Sequence, residues 1–378
     1  MGSRTKTGKP AYHTGRGGAA VEAYSRLPSR RSRRVRRPRR WGALLLAVMF
    51  IGALAATART IPALGSRLAT GDGRLQLGAS WEQIGFADEP VRALQVPGSE
   101  SAPYVAADSG VFKRAGSGRQ WDRVALPSGA GRPSALAVHP QDGATMLLGT
   151  ENGGVYRTVD AGSSWHPVAD AGSGPVTVLS FDPRRPRWVF LGRRGAGGGL
   201  WRSTDAGQTW RPMFSGPIGR LAYHPRDAET LYIAGPYRVS RSRDGGRTWT
   251  HLELRGVRAL AASAAEPEAV YLTVGDRLLY LEDWNSRAET FRLPGSVDFL
   301  EAHPRESTLL YVATSHPAAG IWRSADRGET WVLYSEGLGS PAISSLSLSG
   351  DGQALYVGTL TLGLWRYSPT GPEGGAPP

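Results

Sequence analysis

Four carboxylates in this sequence share one setting. Asp160, Asp205, Asp244 and Asp326 each stand third in an eight-residue string, TVDAGSSW, STDAGQTW, SRDGGRTW and SADRGETW. The strings open on a hydroxyl residue and end on Trp165, Trp210, Trp249 and Trp331. Two chemistries suit such a carboxylate. It could act as an acid or base, and glycoside cleavage would then require two carboxyls at a defined separation. It could instead accept backbone N–H bonds and peg a turn. Catalysis needs one constellation, and four copies at regular spacing do not make one. Each string also places a glycine two residues after the Asp, at Gly162, Gly207, Gly246 and Gly328, where a tight turn calls for positive φ. The pattern therefore predicts four structural turns, and no residue is assigned a catalytic role.

The elements that must hold these turns are set by their spacing. Trp81, Trp121, Trp165, Trp210, Trp249 and Trp331 fall 40, 44, 45, 39 and 82 residues apart, and Phe291 fills the position missing from the last gap. Residues 220–254 show the unit clearly: a short apolar run, a His-Pro turn, a second run LYIAG, a third YRVSRS, the string, and a fourth run TWTHLEL. Four short strands per unit of roughly 40–45 residues describe an antiparallel propeller blade. The chain enters at ASWEQIG, a fourth strand alone, and leaves at GLWRYSP, a third strand with no string after it. Joined, these ends complete a seventh blade and remove the free sheet edges. The expected fold is all-β: a seven-bladed β-propeller of four-stranded antiparallel blades over residues 77–369, preceded by a single transmembrane helix.

The strings resemble the Asp-box, or bacterial neuraminidase repeat, of a propeller superfamily that includes sialidases, xyloglucanases, sortilin-type receptors and photosystem II assembly factors. RAGSGRQW at 114–121 and WNSRAETF at 284–291 are degenerate copies, lacking the Asp in both cases. The resemblance implies boxes on the face away from the working site. It also implies a working face built by the loops joining each fourth strand to the next first strand and each second strand to its third.

Those loops carry Arg92, Arg220 and Arg258 just before first strands, with Arg193, Arg194, Glu151, Tyr237, Arg238, Asp276, His316 and Glu336. The five arginines at 92, 193, 194, 220 and 258 are the candidate binding residues, because forked guanidinium groups bind carboxylate or phosphate. A sialidase opening motif Phe/Tyr-Arg-Ile-Pro is missing, and YRVS at 237–240 lacks its Pro. His139, His224 and His303 recur before Pro in successive units, with Asp182 as a variant, and read as turn residues in place of metal ligands. Neither a metal nor a cofactor is expected. The cations Lys113, Arg157, Arg202, Arg241, Arg323 and Arg366, on third strands, read as blade-to-blade ties.

Charge is uneven along the chain. Residues 1–40 hold thirteen of the 45 basic residues and a single acid, Glu22, so nearly all of the net +13 lies there. The remainder of the chain is close to neutral, and no nucleic-acid partner is expected. Cysteine is absent, which excludes disulfides and thiolate chemistry. The arginine run ends at WGALLLAVMFIGALAATA, residues 41–58, which is uncharged and as a helix spans about 27 Å. With positive charge retained inside, this predicts a basic cytoplasmic tail at 1–40, a single-pass anchor at 41–58, a linker at 59–76, the propeller outside the cytoplasm and a flexible tail at 370–378. Secretion after signal cleavage near Ala58 is the alternative. The functional expectation is a membrane-anchored, extracytoplasmic, non-catalytic binding or assembly module for a protein or glycan. The alternative is a glycoside hydrolase of sialidase-like lineage.

Overall fold

The computed structural model describes residues 80–97, 103–114, 120–264, 269–315, 318–335, 338 and 342–368. The expected tail 1–40, anchor 41–58, linker 59–76 and terminal tail 370–378 lie outside the described residues. So do most of RAGSGRQW, His316 and Glu336. Among the described residues no helix is long and apolar enough to cross a membrane.

Seven four-stranded antiparallel sheets make up the fold. Blades one to six occupy 91–124, 133–167, 176–215, 220–253, 257–292 and 297–333, each a meander in chain order. Blade seven consists of Ile343–Leu348, Leu355–Thr359 and Leu364–Ser368, completed by Ser80–Gly85 from the other end of the chain. Trp81 lies opposite Tyr367 and Glu82 opposite Arg366, so the ring closes as the two fragments predict.

Burial tracks position in the blade. The second strands Met146–Thr150, Val189–Arg193, Leu310–Thr314 and Leu355–Thr359 are buried at every residue, because both faces of a middle strand pack on neighbouring blades. Fourth strands such as Thr250–Glu253 are largely exposed. The core lies between blades: Tyr232 and Val239 of blade four pack with Leu260, Leu272 and Trp284 of blade five. Across the closure, Ile84 and Leu364 of blade seven meet Val91 and Val105 of blade one.

The inner strands carry a feature that the repeat pattern does not announce. In six blades the first strand shifts register after its first residue. The bulged residues are Arg92, Ser134, Thr177, Arg258, Asp298 and Ser344, and a bulge leaves a residue unpaired and re-aims its side chain. Blade four has no such shift and begins its ladder at Arg220.

Candidate functional site

Strand direction sorts the loops into two faces. The turns after first and third strands share one face, which carries the boxes and the His-Pro turns. The turns after second and fourth strands share the other, the loop face.

On the box face the carboxylates are fully engaged. The Asp205 carboxylate accepts from the Ser203 hydroxyl at 2.7 Å, the Thr209 N–H at 2.9 Å and the Thr209 hydroxyl at 2.6 Å, while Gly207 N–H donates to Ser203 Oγ at 2.8 Å. Asp160, Asp244 and Asp326 repeat this arrangement. Burial works to raise the Asp205 and Asp244 carboxyls, but the Thr and Ser donors outweigh it and bring both down to about 2. Such groups stay ionised as acceptors and are poor proton donors. Each glycine has positive φ, and so does the residue before it: Ala161, Ala206, Gly245 and Arg327 lie between 56° and 69°. The glycine has a second reason as well, since a Cβ at Gly207 would stand 2.6 Å from Leu147 of the preceding blade.

The tryptophans tie blades together. The indole N–H of Trp165 donates to Ala125 O at 2.8 Å and that of Trp249 to Met213 O at 3.1 Å, each in the preceding blade. Trp210 and Trp331 donate to Gly207 O and Gly328 O of their own turns. The third-strand cations act in the other direction: Arg157 reaches Ala206 O at 2.7 Å and Arg202 reaches Gly245 O at 2.6 Å, each in the next blade's box. The histidines are turn residues. His224 Nδ1 accepts the N–H groups of Arg226 and Asp227, His139 and His303 do the same, and Asp182 Oδ1 accepts from Arg184 and Arg185. An imidazole accepting at Nδ1 is neutral, and burial pushes His224 and His303 below the ordinary imidazole value.

The five candidate arginines do not form one group. Arg193 is 2 % exposed, and its guanidinium donates to Ala171 O at 2.6 Å, Gly153 O at 2.8 Å and Gly174 O at 2.5 Å. As the last residue of a buried second strand it braces two loops through three carbonyls and offers nothing to a ligand. Arg92 holds Asp108 of its own blade through two bonds of 2.8 and 2.9 Å. That hydrogen-bonded carboxylate raises the Arg92 pKa.

Arg194, Arg220 and Arg258 do converge. With Thr177, Tyr237, Asp298 and the segments 217–219 and 234–236 they line a depression of about 550 Å³ on the loop face, spanning blades three to six. Arg258 Nη2 donates to Asp298 Oδ1 at 2.8 Å, and Arg220 donates to Gly219 O at 2.9 Å and Asp298 O at 3.3 Å. Burial pushes the Arg220 guanidinium below its ordinary value, with the Asp298 carboxylate acting the other way and the Arg258 charge adding to the fall. Asp298 is the one carboxylate among the described lining residues.

A narrower slot of about 190 Å³ adjoins the depression between blades three and four, lined chiefly by Phe214, Pro217, Ile218, Ile233, Pro236 and Tyr237. Arg238 lies over the Phe214 ring at 4.9 Å and Arg255 over the Tyr237 ring at 5.5 Å. Of the remaining loop residues, Glu151 pairs with Arg132 at 3.8 Å. Sequence reasoning missed Asp298 and the slot. A signal for Asp298 existed: it lies 40 residues after Arg258, at the equivalent bulge of the next blade, where opposite charges become neighbours.

No family model matches the chain, and no curated protein does. Solved structures are similar. A GH74 xyloglucanase from Xanthomonas campestris superposes with a TM-score of 0.61 at 19 % identity, over 79 % of this chain and 55 % of that one. YCF48 from Cyanidioschyzon merolae gives a TM-score of 0.61 at 13 % identity, over 77 % of this chain and 99 % of that one. A structure of YCF48 bound to D1 peptide gives 0.59 at 14 %, over 77 % and 96 %. The chain thus spans about half the length of the xyloglucanase. At these identities the likeness is one of fold: the seven-bladed β-propeller that the repeats predict, shared by enzymes and by a peptide-bound protein.

Proposed function

We propose that this chain is a non-catalytic binding or assembly module of the Asp-box type that receives a protein partner on its loop face, held outside the cytoplasm by residues 41–58. The observation that carries this reading is the depression itself, where three guanidinium groups and one carboxylate line a shallow space at the inner strands. Glycoside hydrolysis by the ordinary route uses two carboxyls flanking one bond. Among the described residues lining the depression Asp298 has no second carboxyl beside it, Glu253 lines the adjoining slot, and the box carboxylates are held in turns on the opposite face. YCF48 bound to a D1 peptide supports a peptide or protein over a glycan.

The similarity to GH74 xyloglucanases favours a second reading, that of a glycoside hydrolase with a diverged site. The full-length chain should leave xyloglucan and a sialoside panel intact, and Arg194→Ala with Arg258→Ala should weaken partner capture from its own cells while the melting temperature holds. Turnover abolished by Asp298→Asn would replace the binding reading with the hydrolase.

A further inference from the structure

The depression and the slot adjoin. They share the rim Pro217, Ile218, Gly235, Pro236 and Tyr237, so whatever occupies the first lies against the opening of the second. Their chemistries differ. The depression is lined by Arg194 and Arg258, both exposed, and by the more buried Arg220, against Asp298. The slot is floored by Ile218 and Ile233, each 1 % exposed, and walled by Phe214 and Tyr237. Tyr237 is 59 % exposed and stands at the junction.

The charges around both cavities favour an anionic occupant. Among the described lining residues, Arg194, Arg220, Arg238 and Arg258 are set against Asp298 and Glu253, and Arg255 lies over the Tyr237 ring beside them. The Arg258–Asp298 contact joins groups 53 % and 27 % exposed, and an exposed pair of this kind is weak enough to share its guanidinium with an incoming carboxylate. Arg220 has two N–H groups on main-chain carbonyls, while burial outweighs the help it receives from Asp298. An anion in the depression would relieve that cost.

The main chain decides the source of the carboxylate. A peptide C-terminus is typically captured by a nest of free backbone N–H groups, whereas acidic side chains are read by arginine clusters. Here four N–H groups around the site are already committed: Ile218 to Arg193 O, Gly219 to Ala234 O, Gly235 to Arg238 O and Arg194 to Pro175 O. Among the described lining residues, Arg194, Arg220 and Arg258 are the charged donors. A space of about 550 Å³ spanning four blades also lets a chain pass through where a blind pocket would make it end.

We infer that the loop face binds an extended internal segment of a partner protein, with an Asp or Glu side chain on Arg194, Arg220 and Arg258 and an apolar side chain within about three residues of it in the Phe214–Tyr237 slot. This rests on the binding-module reading and specifies its ligand.

The test uses the full-length chain and N-acetylated, C-amidated heptapeptides with a central Asp or Glu and a Leu or Phe moved stepwise along the sequence. Binding should require the acid, improve when the apolar residue lies within about three positions, and weaken with salt. Arg194→Ala with Arg258→Ala should weaken it at least about tenfold, while Asp298→Asn, which removes the competing carboxylate, should tighten it. Tyr237→Ala should erase the preference for the apolar residue and keep the need for the acid. Misfolding cannot produce a tightening in one variant beside a weakening in another. Equal binding of Lys-centred peptides, binding only of peptides with a free C-terminal carboxylate, or no binding of any peptide would each overturn the proposal. If the peptides fail while residue 237 still cross-links to a partner in cells, the ligand chemistry is wrong and the binding-module reading stands. Loss of both removes that reading too.

Discussion

Glu301 lies on the first strand of blade six, opposite Tyr311 of the second. It is half-buried, and burial pushes its carboxyl up to about 8 from an ordinary 4.5, with no charged neighbour contributing. The folded chain therefore holds a proton there that the unfolded chain releases from about pH 4.5 upward. A raised carboxyl costs nothing below its unfolded value, costs progressively more as pH rises toward 8, and levels off above that. A displacement of this size corresponds to at most about 4–5 kcal/mol once the group is fully ionised. The side chain's partial exposure reduces the expectation to about 2 kcal/mol. Glu301→Gln keeps the shape and removes the charge. It should match wild type near pH 4.5 and exceed it by about 2 kcal/mol at pH 8.5, or roughly 4–8 °C in melting temperature for a domain of this size. The assay is thermal unfolding of both proteins from pH 4.5 to 9, in which every other titrating group cancels. Parallel curves for the two proteins, or a variant less stable than wild type at pH 8.5, would refute the reasoning.

The turns give three further expected outcomes. Asp205→Ala should lower stability by about 1–3 kcal/mol and leave partner capture unchanged, as read by melting and by pull-down. Gly207→Ala should destabilise by more than about 1 kcal/mol, because positive φ and the contact with Leu147 act together, whereas Gly195→Ala, also at positive φ but with open space around it, should cost less. Asp205 and Asp244 sit at about 2, below their unfolded value, so they stabilise above pH 4. That contribution should fall away as pH drops toward 2, and Asp205→Asn should flatten this part of the acid-unfolding curve.

The sequence made the blades legible because each repeat contains its own turn chemistry. Within eight residues the Asp of a box bonds to its Thr and the Gly to the opening hydroxyl, and a His before Pro accepts N–H groups two and three residues on. Ring closure was readable for the same reason, since the two end fragments are complementary pieces of one unit. The site was less legible, because it depends on which side chains meet across blades. Arg193 and Arg194 are adjacent in sequence, yet one ends a buried strand and the other enters a loop. Arg92 and Arg258 occupy equivalent bulges, but Arg92 finds Asp108 in its own blade while Arg258 finds Asp298 in the next. Glu301 carried a faint signal: two residues before the equivalent His, other blades have Ala137 and Ala222.

The central claim is that a partner docks on the loop face and not on the box face. A photo-reactive residue at Tyr237, compared in the chain's own cells with one at Gln208, tests it most directly, since both positions are exposed and lie at opposite ends of the blades. The account predicts a discrete cross-linked partner from position 237, lost when Arg194 and Arg258 are replaced by Ala, and none from position 208. A partner captured from 208 alone would contradict it.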